Sequence, residues 1–199
     1  MKRLVRKILV GDTAFCRYSK IREPAATHER VYLDTGDAVI EVSRDHWILC
    51  MEPFIFGIWI QKGREGAIAG NLPKYRMYIS AGTAGDKKRI LKYAEASLQL
   101  DQVGLLKDEG GILVLLELKS ARIFHLDFIR RSLIYMRYFR EPGFSFQRFK
   151  SFVVAYSYPR RIRIVSFLQG DYYNIFPMDL LGEATGQNRF VMGLQCKNI

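Results

Sequence analysis

Several groups of residues in this chain carry types that could do chemistry. Ser80–Lys87, SAGTAGDK, lies between an apolar stretch and a run with helical spacing. That is the setting in which backbone N–H groups and a helix N-terminus hold a phosphate. A G-x-x-x-x-G-K-[ST] loop needs wider glycine spacing and a lysine. Here Gly82 and Gly85 are too close, and Asp86 stands where the lysine is needed. The stretch reads as an ordinary turn with Asp86 as helix cap. His28, His46 and His125 lie far apart without an i+4 partner, and no Cys/His pair has ligand spacing, so no metal is expected. Asp45–His46 with Cys50–Glu52 holds the residue types of a nucleophile site but reads as a strand with a polar edge; a G-x-S-x-G elbow is absent.

Tyr172–Glu183, YYNIFPMDLLGE, is different in kind. Asn174 follows a turn, and Pro177 has no N–H, so a regular central-strand ladder is not expected to pass through it. The backbone around Pro177 is then freer to meet a ligand, and irregular strands often border sites; the plain alternative is an edge strand with a kink.

The elements that must position these residues follow from turn chemistry and apolar spacing. Val31–Leu33 and Val39–Val42 flank Asp34–Thr35–Gly36–Asp37, a hairpin turn. Trp47–Cys50 and Phe54–Ile60 read as strands with Pro53 between them, Lys62–Lys74 as a loop, and Tyr75–Ile79 as a short strand. Asp86 predicts a helix to about Leu100, with Ile90, Leu91, Ala94 and Leu98 on one face. After Gly110–Gly111, Ile112–Leu118 reads as a buried strand. Asp127 predicts a helix to about Arg140 with an inward stripe of Ile129, Leu133 and Met136, stopped by Glu141–Pro142–Gly143. Ser145 opens a third helical pattern with Phe149, Phe152, Val153 and Tyr156 inward, and Tyr158–Pro159 ends it. Strand returns at Ile162–Val165, the chain turns at Gln169–Gly170–Asp171, and Asn188–Leu194 is a further strand.

Composition sets the outer bounds. The chain has 199 residues, 49% hydrophobic and 13% aromatic, so a packed core is expected. No apolar run approaches the roughly 20 residues of a membrane span. The N-terminal MKRLVRKILVGD lacks the core and cleavage site of a signal peptide. Cys16, Cys50 and Cys196 fit neither a disulfide framework nor a zinc site, which implies a reducing, cytoplasmic compartment. The net charge of +11 is spread in small clusters, so it reads as a soluble basic surface. No basic block marks a nucleic-acid tail, and no membrane partner is expected.

Arg161–Gln169, the Asn174–Ile175–Phe176–Pro177–Met178–Asp179 segment and Arg189–Phe190–Val191–Met192–Gly193–Leu194 together resemble the opening of the flavin reductase-like family, whose fold is the FMN-binding split barrel. Tyr158–Pro159–Arg160–Arg161 matches that family's approach to its first strand. The resemblance covers about the last quarter of the chain, and Met1–Tyr156 matches no family motif. It implies FMN held largely by backbone and small polar groups, with the ring near the strand after Asn174. Carried over, Phe176, Pro177, Met178, Asp179 and Leu180 border the ring. Gln195–Asn198 begins the loop for ribityl and phosphate, with Lys197 as charge partner and Asn198 beside it. Asp179 stands where many members carry Ser or Thr. The family also implies a homodimer, and hydride transfer between a nicotinamide cofactor, NAD(P)H, and flavin.

The expected fold class is α+β: a mixed N-terminal domain over residues 1–156, then the first strands of a split β-barrel over residues 157–199, unfinished within this chain. The expected function is that of a flavoprotein, an FMN-dependent oxidoreductase of the flavin reductase type. The alternatives are a non-enzymatic binding module whose basic surface meets an acidic partner or nucleic acid, and a structural protein that offers unfinished strands for β-augmentation.

Overall fold

Asp34–Asp37 reverses the chain by the turn its residues predict. Gly36 adopts φ 88°, the Asp34 carboxylate accepts the Gly36 N–H, and Thr35 bonds Ala38 through both its N–H and its hydroxyl. Strands β1 (Arg30–Asp34) and β2 (Val39–Glu41) pair across it. A 3-10 turn at Glu65–Ala67 follows β3 (His46–Met51) and β4 (Phe54–Gln61). Then come β5 (Lys74–Ser80), α1 (Lys87–Lys92), β6 (Ala94–Asp108), β7 (Gly111–Ile123) and α2 (Phe128–Tyr138). The chain continues into β8 (Arg163–Gln169), β9 (Tyr172–Met178), β10 (Leu181–Ala184) and β11 (Arg189–Met192). This computed structural model describes residues 29–51, 53–68, 74–82, 86–124, 128–138, 145–146, 149, 162–178, 181–184 and 189–192.

β1 to β7 form one antiparallel sheet in the order β2-β1-β5-β6-β7-β4-β3. Its two edge strands are consecutive in the chain, joined by residues 42–45 alone. A flat sheet of this width would hold its edges about 29 Å apart. Five extended residue steps reach only about 18 Å. The sheet therefore curls into a barrel-like shape. The linker is fastened at both ends: the Val42 N–H bonds to Val31 O at 2.8 Å, and the Trp59 N–H to Asp45 O at 2.7 Å.

Curling sorts the side chains by their period of two. One face carries Val31, Leu33, Ile48, Phe56, Ile58, Met77, Ile79, Leu98, Leu100, Val114 and Leu116, all buried in the main core. The opposite face carries two smaller clusters. Tyr32 and Tyr78 pack with Ile90 of α1, and Trp47, Trp59 and Leu113 pack with Leu49, Leu115 and Val191.

The expected helix from Asp86 to Leu100 is corrected. The helix ends at Lys92, and Ala94–Asp108 is a long strand between β5 and β7. Ala96, Leu98 and Leu100 also fit a spacing of two, and pairing on both edges outweighs the local helical spacing. The second expected helix forms as α2, but rotated. Ile129 and Met136 are 68% and 54% exposed, while Tyr135 packs on Phe146 and Phe149. Phe149 is fully buried, and this aromatic cluster turns Tyr135 inward in place of the predicted stripe. The Phe149 N–H bonds to Ser145 O, a helical bond; Phe152, Val153, Tyr156 and the boundary at 156/157 lie outside the described residues. The described residues are mostly antiparallel sheet with few helices, so the mixed α+β expectation for the first part is not confirmed. Among the described residues, no helix is long and apolar enough to cross a membrane.

Candidate functional site

The segment singled out for its chemistry forms a ribbon of its own. β8 and β9 make a separate two-stranded sheet, turned by Gly170 at φ 59° and Asp171. Their register runs from Gln169–Tyr172 at the turn to Arg163–Met178, with Ile164 opposite Pro177. A two-residue turn makes its flanking pair a hydrogen-bonded one, and the pattern then alternates. Tyr172, Asn174, Phe176 and Met178 therefore point their backbone groups at β8. Tyr173, Ile175 and Pro177 point theirs outward.

Pro177 thus lies in an edge strand and not in a central ladder, while the pairing with β8 runs through it. In a two-stranded ribbon β9 is an edge, and Pro177 sits where its missing N–H faces away from the partner. The irregularity lies instead on the outer edge, where the donor row stops at Ile175.

The expected site residues are only partly gathered here. Asn174 is exposed, opposite Phe167; Pro177 is exposed, and Met178 is half-buried opposite Arg163. Phe176 is placed in β9 opposite Val165. Asp179, Leu180, Lys197 and Asn198 lie outside the described residues. The Arg163 guanidinium donates to Leu181 O, which ties the base of the ribbon to β10. Tyr172, Tyr173, Phe167 and Ile175 are all largely exposed, and the Phe167 and Tyr172 rings meet edge-on at 6.3 Å. The ribbon thus offers open aromatic surface and an interrupted edge, a surface on which a planar aromatic ligand can stack.

The Ser80 hydroxyl accepts the Gly82 N–H at 3.0 Å and donates to Ile90 O at 2.8 Å. The Asp86 carboxylate accepts the Lys88 N–H at 2.9 Å, so the start of α1 is capped as predicted. His46 is buried, with Nδ1 2.7 Å from Val42 O. Cys50 is a free, half-buried thiol opposite Ile55, while His28, His125 and Glu52 lie outside the described residues. No group of three or more His, Cys, Asp or Glu could hold a metal among the described residues.

Sequence reasoning missed one contact altogether. The β10–β11 hairpin lies on the outer face of the sheet, with Gly182 directly over the Trp47 indole. A Cβ at position 182 would fall 1.8 Å from Trp47 Cε2. Trp47 and Trp59 are both buried, and among the described residues neither Nε1 has a hydrogen-bond partner. Nothing local to Trp47 or Gly182 announces this packing, because the two are far apart in the chain.

No protein-family model matches the chain, and no curated protein matches it. Solved structures match over part of it. The styrene monooxygenase flavin reductase from Pseudomonas putida S12 is 11% identical, with a TM-score of 0.38, over 54% of this chain and 87% of that one. The NADH:FAD oxidoreductase of Streptomyces globisporus C-1027, in complex with NAD and FAD fragments, is 13% identical, with a TM-score of 0.37, over 54% and 88%. An FMN-binding protein from Thermus thermophilus is 11% identical, with a TM-score of 0.37, over 56% and 83%. Resemblance this distant decides neither family nor activity.

Proposed function

We propose that this chain is a flavin reductase-like protein that binds FMN along β9. In this reading Asn174, Phe176, Pro177 and Met178, with Asp179 and Leu180 beyond them, border the isoalloxazine. Lys197 and Asn198 meet the ribityl-phosphate end. The observation that supports it is that Asn174, Ile175 and Pro177 are exposed on a two-stranded ribbon rather than sealed in a core.

The residues present suit such a ligand. Tyr172 and Tyr173 offer exposed aromatic surface. The Asn174 amide can both donate and accept. Pro177 leaves an outward position with an acceptor and no donor, which keeps another strand from docking there. Lys197 supplies a cation for phosphate. Bound FMN would supply the hydride chemistry, accepting a hydride from NAD(P)H; the protein holds and orients it. A homodimer and a reducing, cytoplasmic setting, in keeping with the free Cys50 thiol, complete the proposal.

Titrating the purified protein with FMN and following flavin fluorescence tests it. Saturable quenching is expected. Asn174→Ala should weaken binding by roughly tenfold, about 1.4 kcal/mol. Lys197→Ala should weaken FMN but not riboflavin, which lacks the phosphate. A folded protein that leaves FMN fluorescence unchanged overturns the reading.

A further inference from the structure

We propose that one end of the barrel-like sheet is a docking surface for an anionic lipid bilayer. Strand register places the elements. Arg30 pairs with Ser80, Ser80 with Ala94, and Ala96 with Ile123, so the starts of β1 and β6 and the ends of β5 and β7 share that end. There α1 leads into β6, and α2 follows β7. The Phe124 N–H bonds to Glu95 O at 2.8 Å, which sets Phe124 beside the strand that opens just after Tyr93. These elements leave large apolar side chains in water. Leu91 and Tyr93 at α1, Phe124 after β7, and Phe128, Ile129 and Met136 on α2 are all exposed, Phe128 and Ile129 at 68% each. At about 3.6 residues per turn, the three on α2 fall in one stripe about 100° wide. The expectation of no membrane partner assumes that the α2 stripe serves the core, and Ile129 and Met136 do not serve it.

Cations stand among these side chains. Lys88, Arg89, Lys92 and Arg122 are exposed. Lys92 Nζ lies 5.2 Å from the centre of the Tyr93 ring, and the Arg122 guanidinium 5.3 Å from that of Phe124, so charge and ring are presented together. The sequence of α2, FIRRSLIYMRY, adds three arginines and no acid. Against these stand Asp86, which caps α1, and the half-buried Glu95. Such a mixture suits the edge of a bilayer. Rings and aliphatic chains enter below the headgroups, while lysine and arginine stay level with the phosphates. A nucleic acid would meet the cations and leave Leu91, Ile129 and Met136 in water; an anionic bilayer takes both at different depths. The surface rests on the membrane, since among the described residues no helix is long and apolar enough to cross one. The proposal does not depend on flavin binding at the ribbon.

Co-sedimentation of the full chain with lipid vesicles tests it. Vesicles of equal parts phosphatidylcholine and phosphatidylglycerol should bind the protein, and phosphatidylcholine alone should bind it at least about tenfold more weakly. Added salt should weaken the binding. Phe128→Ser combined with Ile129→Ser should weaken it by at least about tenfold, through lost apolar insertion. Lys92→Glu combined with Arg122→Glu should do the same on the anionic vesicles. Leu106→Ser removes an exposed side chain at the opposite end of the sheet, near the β6–β7 turn, and should change nothing. Circular dichroism matching the wild type confirms that the variants are folded. A wild-type protein that stays in the supernatant with the anionic vesicles overturns the inference. So does vesicle binding that the two serine substitutions leave unaltered, since the cations alone would then serve a polyanion such as nucleic acid. Equal weakening by Leu106→Ser overturns it as well, because the end of the sheet would not matter.

Discussion

The seven-stranded sheet and the β8–β9 ribbon are built from similar residues and meet opposite environments. Both alternate apolar side chains and both turn on glycine. Yet Phe56 and Leu98 are fully buried, while Phe167 is 48% exposed and Ile164 more so. Alternation decides which residues share a face. It does not decide whether that face is covered. The large sheet covers its own face because the linker 42–45 draws its edges together. The ribbon has two edges, no closure and no described layer over its β9 tyrosines. Burial here is a property of strand number and connection, and it leaves the ribbon with apolar surface exposed.

That contrast can be broken most directly by deleting one ring from each region. Phe56→Ala should lower the unfolding free energy by about 3–5 kcal/mol, read from urea denaturation, because the cavity opens in a closed core. Phe167→Ala should cost under about 1 kcal/mol. Equal losses would mean the ribbon is packed in solution and the comparison fails.

A smaller effect separates the two C-terminal hairpins. Gly182→Ala drives a Cβ into the Trp47 indole, whose ring is hemmed in by its own cluster. A loss of about 1–3 kcal/mol is expected, with red-shifted tryptophan emission as β10–β11 lifts. Gly170→Asn should change little. Position 170 has open space around it, and Asn tolerates its φ of 59°. Similar losses at the two glycines would show that the hairpins are docked alike.

The smallest effect concerns pH. The Tyr32 hydroxyl donates to Gly82 O at 2.7 Å from a buried position. Burial chiefly, and the Glu41 carboxylate next, raise its pKa above the ordinary tyrosine value, with Arg30 opposing. Burial likewise raises Tyr75. A raised folded-state pKa means the fold favours the protonated phenol. The stabilisation is therefore intact below about pH 10 and fades as pH climbs through the raised value. Urea midpoints should be flat up to that pH and then fall, and Tyr32→Phe should make the fall shallower. An unchanged fall would assign it to other groups.

Much of this was readable in the chain, for local reasons. Asp34–Asp37 and Gln169–Asp171 announce their turns because Gly tolerates positive φ and Asp bonds its own backbone. Asp86 announces its cap for the same kind of reason. The candidate site was legible as a proline in an edge strand, but the direction in which Pro177 faces was not. The reach of β6 was not legible, since Ile90, Leu91, Ala94 and Leu98 satisfy a helix while Ala96, Leu98 and Leu100 satisfy a strand. The seating of Gly182 on Trp47 left no trace near either residue.

Turns, caps and the apolar faces of strands were determined by the sequence alone, because each depends on residues within a few positions of one another. The tertiary structure decided that Ala94–Asp108 is strand rather than helix, that the sheet closes through residues 42–45, and that Pro177 faces outward. Each of those depends on which distant strand supplies the partner for a backbone N–H, and that choice is made only when the whole sheet assembles.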